Sequence, residues 1–353
     1  MDFTETLLAW YMEHRRELPW QSGKNPYYIW VSEIILQQTR VSQGLEYYHR
    51  FIASFPTVQD LARAKEDEVL KVWQGLGYYS RARNMHRTAQ TVADSYGGVF
   101  PREVDQLKKL RGIGPYTAAA VASFAFNRPV AALDGNGYRI LARFFGLDLS
   151  PNSATGKREF AELAENLLPP DNSARFNQAL MDFGSLVCMP RPDCVQCPLQ
   201  EACMAYNTNT VFLLPAGKTK TSIRDRYFNY LDLEWNGKTF IGQRKEKDIW
   251  QGLYEFPLIE TSCRADMEQL IAHGRFKEII QDDSFVLLKT WEPEIHKLSH
   301  RNISAVFFRI KIQNISASLQ NDYLCIQREA LTEYAVSRLT EKYLNFLHIF
   351  ADL

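Results

Sequence analysis

Apolar residues recur every three to four positions along residues 3–11, 30–51, 68–73, 83–96, 117–126, 137–145 and 176–187, a period that gives a helix one face for a core. Pro26, Pro56, the Gly97-Gly98 pair, Pro101, Pro115 and the Pro169-Pro170 pair punctuate these runs where helices should start or stop. Residues 1 to about 205 are therefore predicted to be helical throughout. Past Cys203 the pattern changes. Residues 206–224 are polar and threonine-rich and read as a linker. Residues 227–235 and 239–243 are rich in the residue types of strands, and Asn236-Gly237 between them suits a tight two-residue hairpin. Residues 285–291 and 303–312 supply further strands, while 266–280 and 328–350 read as helices. The C-terminal part is thus predicted to be α+β or α/β, distinct in architecture from what precedes it.

A chain of 353 residues has room for two or three domains, and 46% apolar with 23% charged residues is the balance of an ordinary globular protein. The first residues, Met1-Asp-Phe-Thr-Glu, carry acids where a secretory leader carries bases, and the longest largely apolar stretch, residues 118–126, is too short for a bilayer. An intracellular protein with no membrane association is the expectation. Net charge is zero, which by itself argues against a nonspecific binder of polyanions. Locally the balance differs: from Arg81 to Arg143 there are ten Lys/Arg against four Asp/Glu, a surplus of six. A basic face on a neutral molecule suits a nucleic-acid track, although a solvated helical surface would look the same by charge alone.

Three features carry chemistry. Cys188, Cys194, Cys197 and Cys203 fall within sixteen residues at C-x5-C-x2-C-x5-C, and only Cys263 and Cys325 lie elsewhere. Reduced thiols so spaced suit one metal site, either tetrahedral zinc or a [4Fe–4S] cluster. The run Leu110-Arg-Gly-Ile-Gly-Pro-Tyr-Thr117 joins two helical stretches, and Gly112 and Gly114 would free the backbone to turn N–H groups outward toward a phosphate. Twenty residues on, Asp134 follows the apolar Val130-Ala-Ala-Leu and precedes Gly135, which places a carboxylate at the end of a buried connection or at a helix N-cap.

The hairpin, the downstream aspartate and the cysteine cluster together resemble the helix-hairpin-helix DNA glycosylases that carry a [4Fe–4S] cluster. Within that superfamily, Trp30-Val-Ser-Glu33-Ile-Ile-Leu-Gln-Gln-Thr-Arg-Val41, residues 75–84 and Pro115-Tyr116-Thr117 are similar to the adenine DNA glycosylases (the MutY type). That family usually has six residues between its first two cysteines, where this chain has five. The resemblance implies a multidomain protein: an all-α helix-hairpin-helix glycosylase core with an iron–sulfur subdomain, then an α/β Nudix-like domain. Expected boundaries are 25–133 for a six-helix barrel with the hairpin, 1–24 plus 134–205 for the cluster subdomain, 206–224 for the linker and 225–353 for the Nudix-like domain.

Cleaving an N-glycosidic bond through an oxocarbenium-like transition state needs an acid for the leaving base and a negative charge for the sugar. Glu33, among apolar neighbours on its helix, suits the acid because burial should raise its pKa. Asp134 suits the stabilising charge. Tyr116 occupies the position at which strand-nicking relatives have a Schiff-base lysine; a phenol forms no imine, so a monofunctional enzyme is implied, with Tyr116 assisting Glu33 and Asp134. The resemblance further implies a base pocket from Arg16, Trp20, Asn136 and Gln178, duplex wedges at Gln37, Gln38, Thr39 and Tyr78, and phosphate contacts at Gly112 and Gly114. The four cysteines would hold the [4Fe–4S] cluster. In the last domain, Leu298, Ser299 and His300 stand where the family reads 8-oxoguanine opposite the adenine, and no Arg-Glu-x-x-Glu-Glu magnesium motif accompanies Trp250-Gln-Gly-Leu-Tyr-Glu-Phe-Pro257. Excision of adenine mispaired with 8-oxoguanine or guanine in duplex DNA, by a cytoplasmic, nucleoid-associated monomer, is the expectation. The competing readings are a glycosylase of the same fold for oxidised pyrimidines or thymine mismatches, and a noncatalytic sensor of damaged DNA.

Overall fold

The computed structural model of the chain describes residues 2–217, 223–281 and 285–349. Two compact units emerge: Met1–Arg63 with Asn84–Thr219, and Ala64–Arg83 with Lys220–Leu353. The division falls inside the helix Ser80–Tyr96.

The first unit is helical. Its helices include Phe3–His14, Pro26–Leu36, Val41–Ser54, Val104–Leu107, Pro115–Phe126, Gly135–Phe145, Ala154–Leu167 and Ser173–Leu186. A core cluster centred on Leu7, Ile140, Phe160, Phe176, Leu180 and Phe183 draws one face from several of them, as the helical period requires. Residues 30–51, continuous in period, are broken at residues 37–40 into two helices. The period survives the break because both helices turn apolar residues inward, among them Ile34, Ile35, Tyr48 and Phe51. Ala154–Leu167 lies in the region expected to be helical, although not among the periodic runs singled out above, and starts where the Ser153 hydroxyl accepts the Gly156 N–H at 2.9 Å. Residues 206–217, expected to be linker, instead bury Val211 and Leu214 in this unit; 218–222 lie outside the described residues, and Arg224, the last residue of the expected linker, begins a strand.

In the second unit, a mixed sheet runs Leu258–Thr261, Arg224–Glu234, Arg301–Lys311, Val286–Trp291, with the short strand His296–Lys297 also on Arg301–Lys311. The two long central strands are parallel. Both faces are covered: Phe228 and Tyr230 enter one apolar cluster, Leu231 and Leu233 the other, and Phe307 and Phe308 divide the same way. That two-sided burial explains their near-continuous apolar runs. A second sheet pairs Lys238–Gln243 with Tyr254–Glu255 and Leu324–Gln327. Asn236 and Gly237 have φ of 46° and 76°, the left-handed pair of a tight hairpin. Two expected helices are interrupted. Residues 266–280 divide at His273, whose ring accepts the Arg275 N–H. Residues 328–349 divide at Tyr334–Ser337, where the Ala335 carbonyl accepts from the Tyr254 N–H and Val336 bridges the sheet.

Candidate active site

Asn25 caps the helix Pro26–Leu36 by accepting the Tyr27 N–H at 2.9 Å, and Pro26 supplies the fixed φ of a first turn. Ile29, Trp30, Val31, Ile34 and Ile35 are all buried, so this helix has almost no solvent face. Glu33 is carried inside with them and is 8% exposed. Against it packs Pro115–Phe126, whose small, buried Ala118, Ala119, Ala120 and Ala122 permit close approach. Tyr116, in the first turn of that helix, donates its hydroxyl to Glu33 Oε2 at 2.7 Å. Burial raises the Glu33 pKa; the Tyr116 hydrogen bond lowers it and the charge of Asp134 raises it, for a result of about 7. Around neutrality this carboxyl holds a proton part of the time and can donate it.

Asp134 is the N-cap of Gly135–Phe145: Oδ1 accepts the backbone N–H groups of Asn136 at 2.9 Å and Gly137 at 2.8 Å. Its other oxygen accepts from the Asn136 side chain at 2.8 Å. Burial pushes the Asp134 pKa up, while these bonds and Arg139 pull it down. Asp134 is thus an N-cap that stands half-buried after the buried Ala132 and Leu133. Asn136 in turn accepts from Arg139 at 2.7 Å, and Arg139 also donates to the backbone carbonyls of Gly184 and Cys188. Asn136 thereby fixes Asp134, and lies outside the ring of side chains lining the neighbouring cavity.

That cavity, about 620 Å³, is lined by Arg16, Trp20, Ile29, Glu33, Phe124 and Gln178 among others. Four of the residues singled out from the sequence, Arg16, Trp20, Glu33 and Gln178, therefore share one space. Trp20 is 4% exposed and packs edge-on to Tyr48. The sequence reading missed Asp182. Its fully buried carboxylate accepts from Arg16 at 2.5 and 3.1 Å and from Gln178 at 2.9 Å, so it fixes two walls of the cavity at once. The available signal was its place four residues after Gln178, on the same helix face.

Gln37 and Gln38 are exposed and Thr39 half-buried in the turn after Pro26–Leu36, and the Gln37 amide donates to Thr117 at 3.4 Å. Gly112 has φ +78°, and a Cβ there would stand 2.7 Å from that of Asn84. Gly114 differs from expectation: it is an extended N-cap with open space around it, so only Gly112 needs glycine's freedom. In the second unit, Ser299 and His300 are exposed at the tip of a turn closed by the Leu298 N–H donating to the Arg301 carbonyl, and Leu298 packs into the apolar cluster. The Tyr78 and Ser299 hydroxyls are 2.6 Å apart.

Cys188, Cys194, Cys197 and Cys203 line a single small pocket with Arg143. All four are free and half-buried, unlike the exposed Cys263 and Cys325. Burial first, with contributions from neighbouring thiols, raises Cys194, Cys197 and Cys203, Cys197 to about 11. Crowded thiols of this kind ionise readily only with a positive partner. Arg143 supplies one such charge, its guanidinium 3.5 Å from the Cys188 sulfur. Among the described residues no three His, Cys, Asp or Glu side chains close on one ion.

Residues 31–170 match the model for the HhH-GPD superfamily base excision DNA repair protein, and residues 231–346 that for the NUDIX domain. Among solved structures, a thermostable thymine-DNA glycosylase is 32% identical with TM-score 0.55, covering 58% of this chain and 95% of its own. An endonuclease III–DNA complex, 22% identical with TM-score 0.51 over 58% of this chain and 94% of its own, shares the fold. Adenine DNA glycosylase from Mus musculus is 41% identical over 58% of this chain and 42% of its own length. The adenine DNA glycosylase of Buchnera aphidicola subsp. Baizongia pistaciae is 39% identical over 72% of this chain and 73% of its own. With that identity across most of both proteins, the chain belongs to the adenine DNA glycosylase family.

Proposed function

We propose that the chain is a monofunctional DNA glycosylase that flips adenine out of duplex DNA, where it is mispaired with 8-oxoguanine or guanine, and excises it. The observation that carries this reading is the 2.7 Å bond from Tyr116 to a buried Glu33, beside Asp134 and a cavity of base-accommodating size. Glu33 protonates the leaving purine, and a carboxyl with pKa about 7 is suited to it. Asp134, its orientation locked by Asn136 and Gly137, stabilises the positive sugar as the glycosidic bond breaks. Water completes the hydrolysis. Arg16, Trp20 and Gln178 hold the extruded base, and Gln37, Gln38, Thr39 and Tyr78 fill the space it leaves. Gly112 and Gly114 present backbone N–H groups to phosphate. Ser299 and His300, with Leu298 behind them, read the opposite base.

The family implies a cluster, and the all-sulfur donor set on one pocket fits it: Cys188, Cys194, Cys197 and Cys203 would hold a [4Fe–4S] group. Bound there, it supplies a structural tie across residues 188–203. Iron and sulfide in anaerobically purified protein are the expected analysis; one zinc and no iron would contradict it. The chain is proposed to work as a monomer in the cytoplasm, on the nucleoid.

The functional test is a panel of duplexes carrying adenine opposite 8-oxoguanine, guanine or thymine, and thymine opposite guanine. Free adenine from the first two, fastest from the first, is expected. Release of thymine, or equal release of adenine opposite thymine, would point to another glycosylase.

A further inference from the structure

Ser299 and Tyr78 meet in the second unit through a loop that no motif assigned to the reaction. The turn bearing Ser299 is placed by its two ends. Leu298 packs in a cluster with Trp250 and Trp291. Arg301 is held by Asp248, which also accepts from Arg226 at 2.6 Å and from Arg244 at 3.1 Å. Those two arginines grip Glu260 and Glu255, and both guanidiniums lie over the Phe228 ring, at 4.8 and 5.8 Å. Partial burial pushes the Asp248 pKa up, but the bonds from Arg301 and Arg226 outweigh it and hold the carboxyl down at about 2. Three positions along the loop, Gln251 accepts from Arg83 with both its backbone carbonyl and its side-chain oxygen. Arg83 belongs to Ala64–Arg83, the segment that carries Tyr78. Gly252, at φ +85°, passes so near that segment that a Cβ would stand 2.9 Å from Leu70. One loop therefore grips the Ser299 turn with Asp248 and the Tyr78 segment with Gln251.

We propose that loop 244–252 is the positioning element of the opposite-base reader: Asp248 and Gln251 set the meeting of Ser299 with Tyr78, and through it the selectivity for 8-oxoguanine, without reading a base themselves. The inference rests on the reading of Ser299 given above. Tyr78 stands at φ +47°, a region that a tyrosine keeps only where its surroundings over-determine it. Its ring is backed by Arg81, itself over Trp73. A hydroxyl that senses one oxygen atom depends on hydrogen-bond length, so a small shift of the turn is enough to lose the distinction. Replacing Asp248 by a neutral residue leaves three arginines facing one another with one counter-charge fewer, and Arg301 takes the turn with it.

The test is single-turnover adenine release by the full chain from 8-oxoguanine:adenine and guanine:adenine duplexes, for Asp248→Asn, Gln251→Ala, Ser299→Ala and the Asp248→Asn/Ser299→Ala double variant. Asp248→Asn is expected to lower the ratio of the two rates by roughly tenfold with the guanine:adenine rate unchanged. The double variant should fall no lower than Ser299→Ala alone, because the loss runs through that hydroxyl. Gln251→Ala leaves the Asp248 cluster intact and should lower the ratio by a smaller factor, which keeps the proposal open to test should Asp248→Asn fail to fold. If Ser299→Ala lowers the ratio and neither loop variant does, the loop has no positioning role and the reader assignment survives. If Ser299→Ala leaves the ratio unchanged, the reader assignment itself is wrong and the proposal goes with it. Equal loss on both duplexes would make the loop a support of the fold alone, and would likewise overturn the proposal.

Discussion

Glu33 keeps a proton near neutrality because a helix buried on nearly every side carries it away from water. Its folded pKa of about 7 lies above the ordinary 4.5, so the folded state binds the proton more tightly between those values. Its contribution to stability is present below about pH 4.5 and is lost as pH rises through 7. Excision should decline over the same upper limit, as the acid loses its proton. Tyr116→Phe removes the hydrogen bond that favours the carboxylate, so the declining limb of the pH–rate profile should move to higher pH. The rate at the optimum should fall roughly 10- to 100-fold, the scale of a hydrogen bond to a charged group. A limb that stays in place would separate Tyr116 from the titration of Glu33. At this scale the sequence was informative about Glu33, whose apolar helical neighbours foretold the burial and raised pKa found there. Asp182 left only a weak trace, its spacing from Gln178: an aspartate on a helix looks solvated until Arg16, far off in sequence, is seen against it.

Among the elements, the hairpin between Val104–Leu107 and Pro115–Phe126 shows how position decides what a glycine is for. Gly112 needs its positive φ and lies against Asn84, whereas Gly114 is extended with open space around it. Gly112→Ala should therefore destabilise the protein more than Gly114→Ala, whose cost is only that of an alanine N-cap. Thermal melting of the two variants checks this, and similar losses would mean that the turn relaxes around a side chain. The Asn236-Gly237 hairpin and the two central strands were legible because local turn chemistry and two-sided burial agree there. The breaks at residues 37–40 and at His273 were not, since the apolar period runs straight through both and no proline or glycine marks residues 37–40.

For the molecule as a whole, composition and pattern separate a helical part from a mixed one, but they give no sign that Ala64–Arg83 groups with the C-terminal part. That grouping rests on contacts remote in sequence: Lys71 donates to the Tyr334 carbonyl, Gln74 accepts from the Val336 N–H, and Tyr254 donates to Asp67. Ending the chain after Lys220 would remove all these partners. Such a truncation should lose both thermal stability and the preference for 8-oxoguanine:adenine over guanine:adenine. An unchanged preference would take recognition of the opposite base away from the C-terminal domain. The chemistry of excision is tested by single-turnover adenine release from an 8-oxoguanine:adenine duplex by the natural chain and by Asp134→Asn, scoring strand integrity before and after alkali. Asn keeps much of the cap geometry and removes the charge. Expected are free adenine, a strand that breaks only after alkali, and a variant slower by roughly 10³-fold, the upper scale of a lost preorganised electrostatic partner. Strand cleavage without alkali, or near-normal release by Asp134→Asn, would contradict that chemistry.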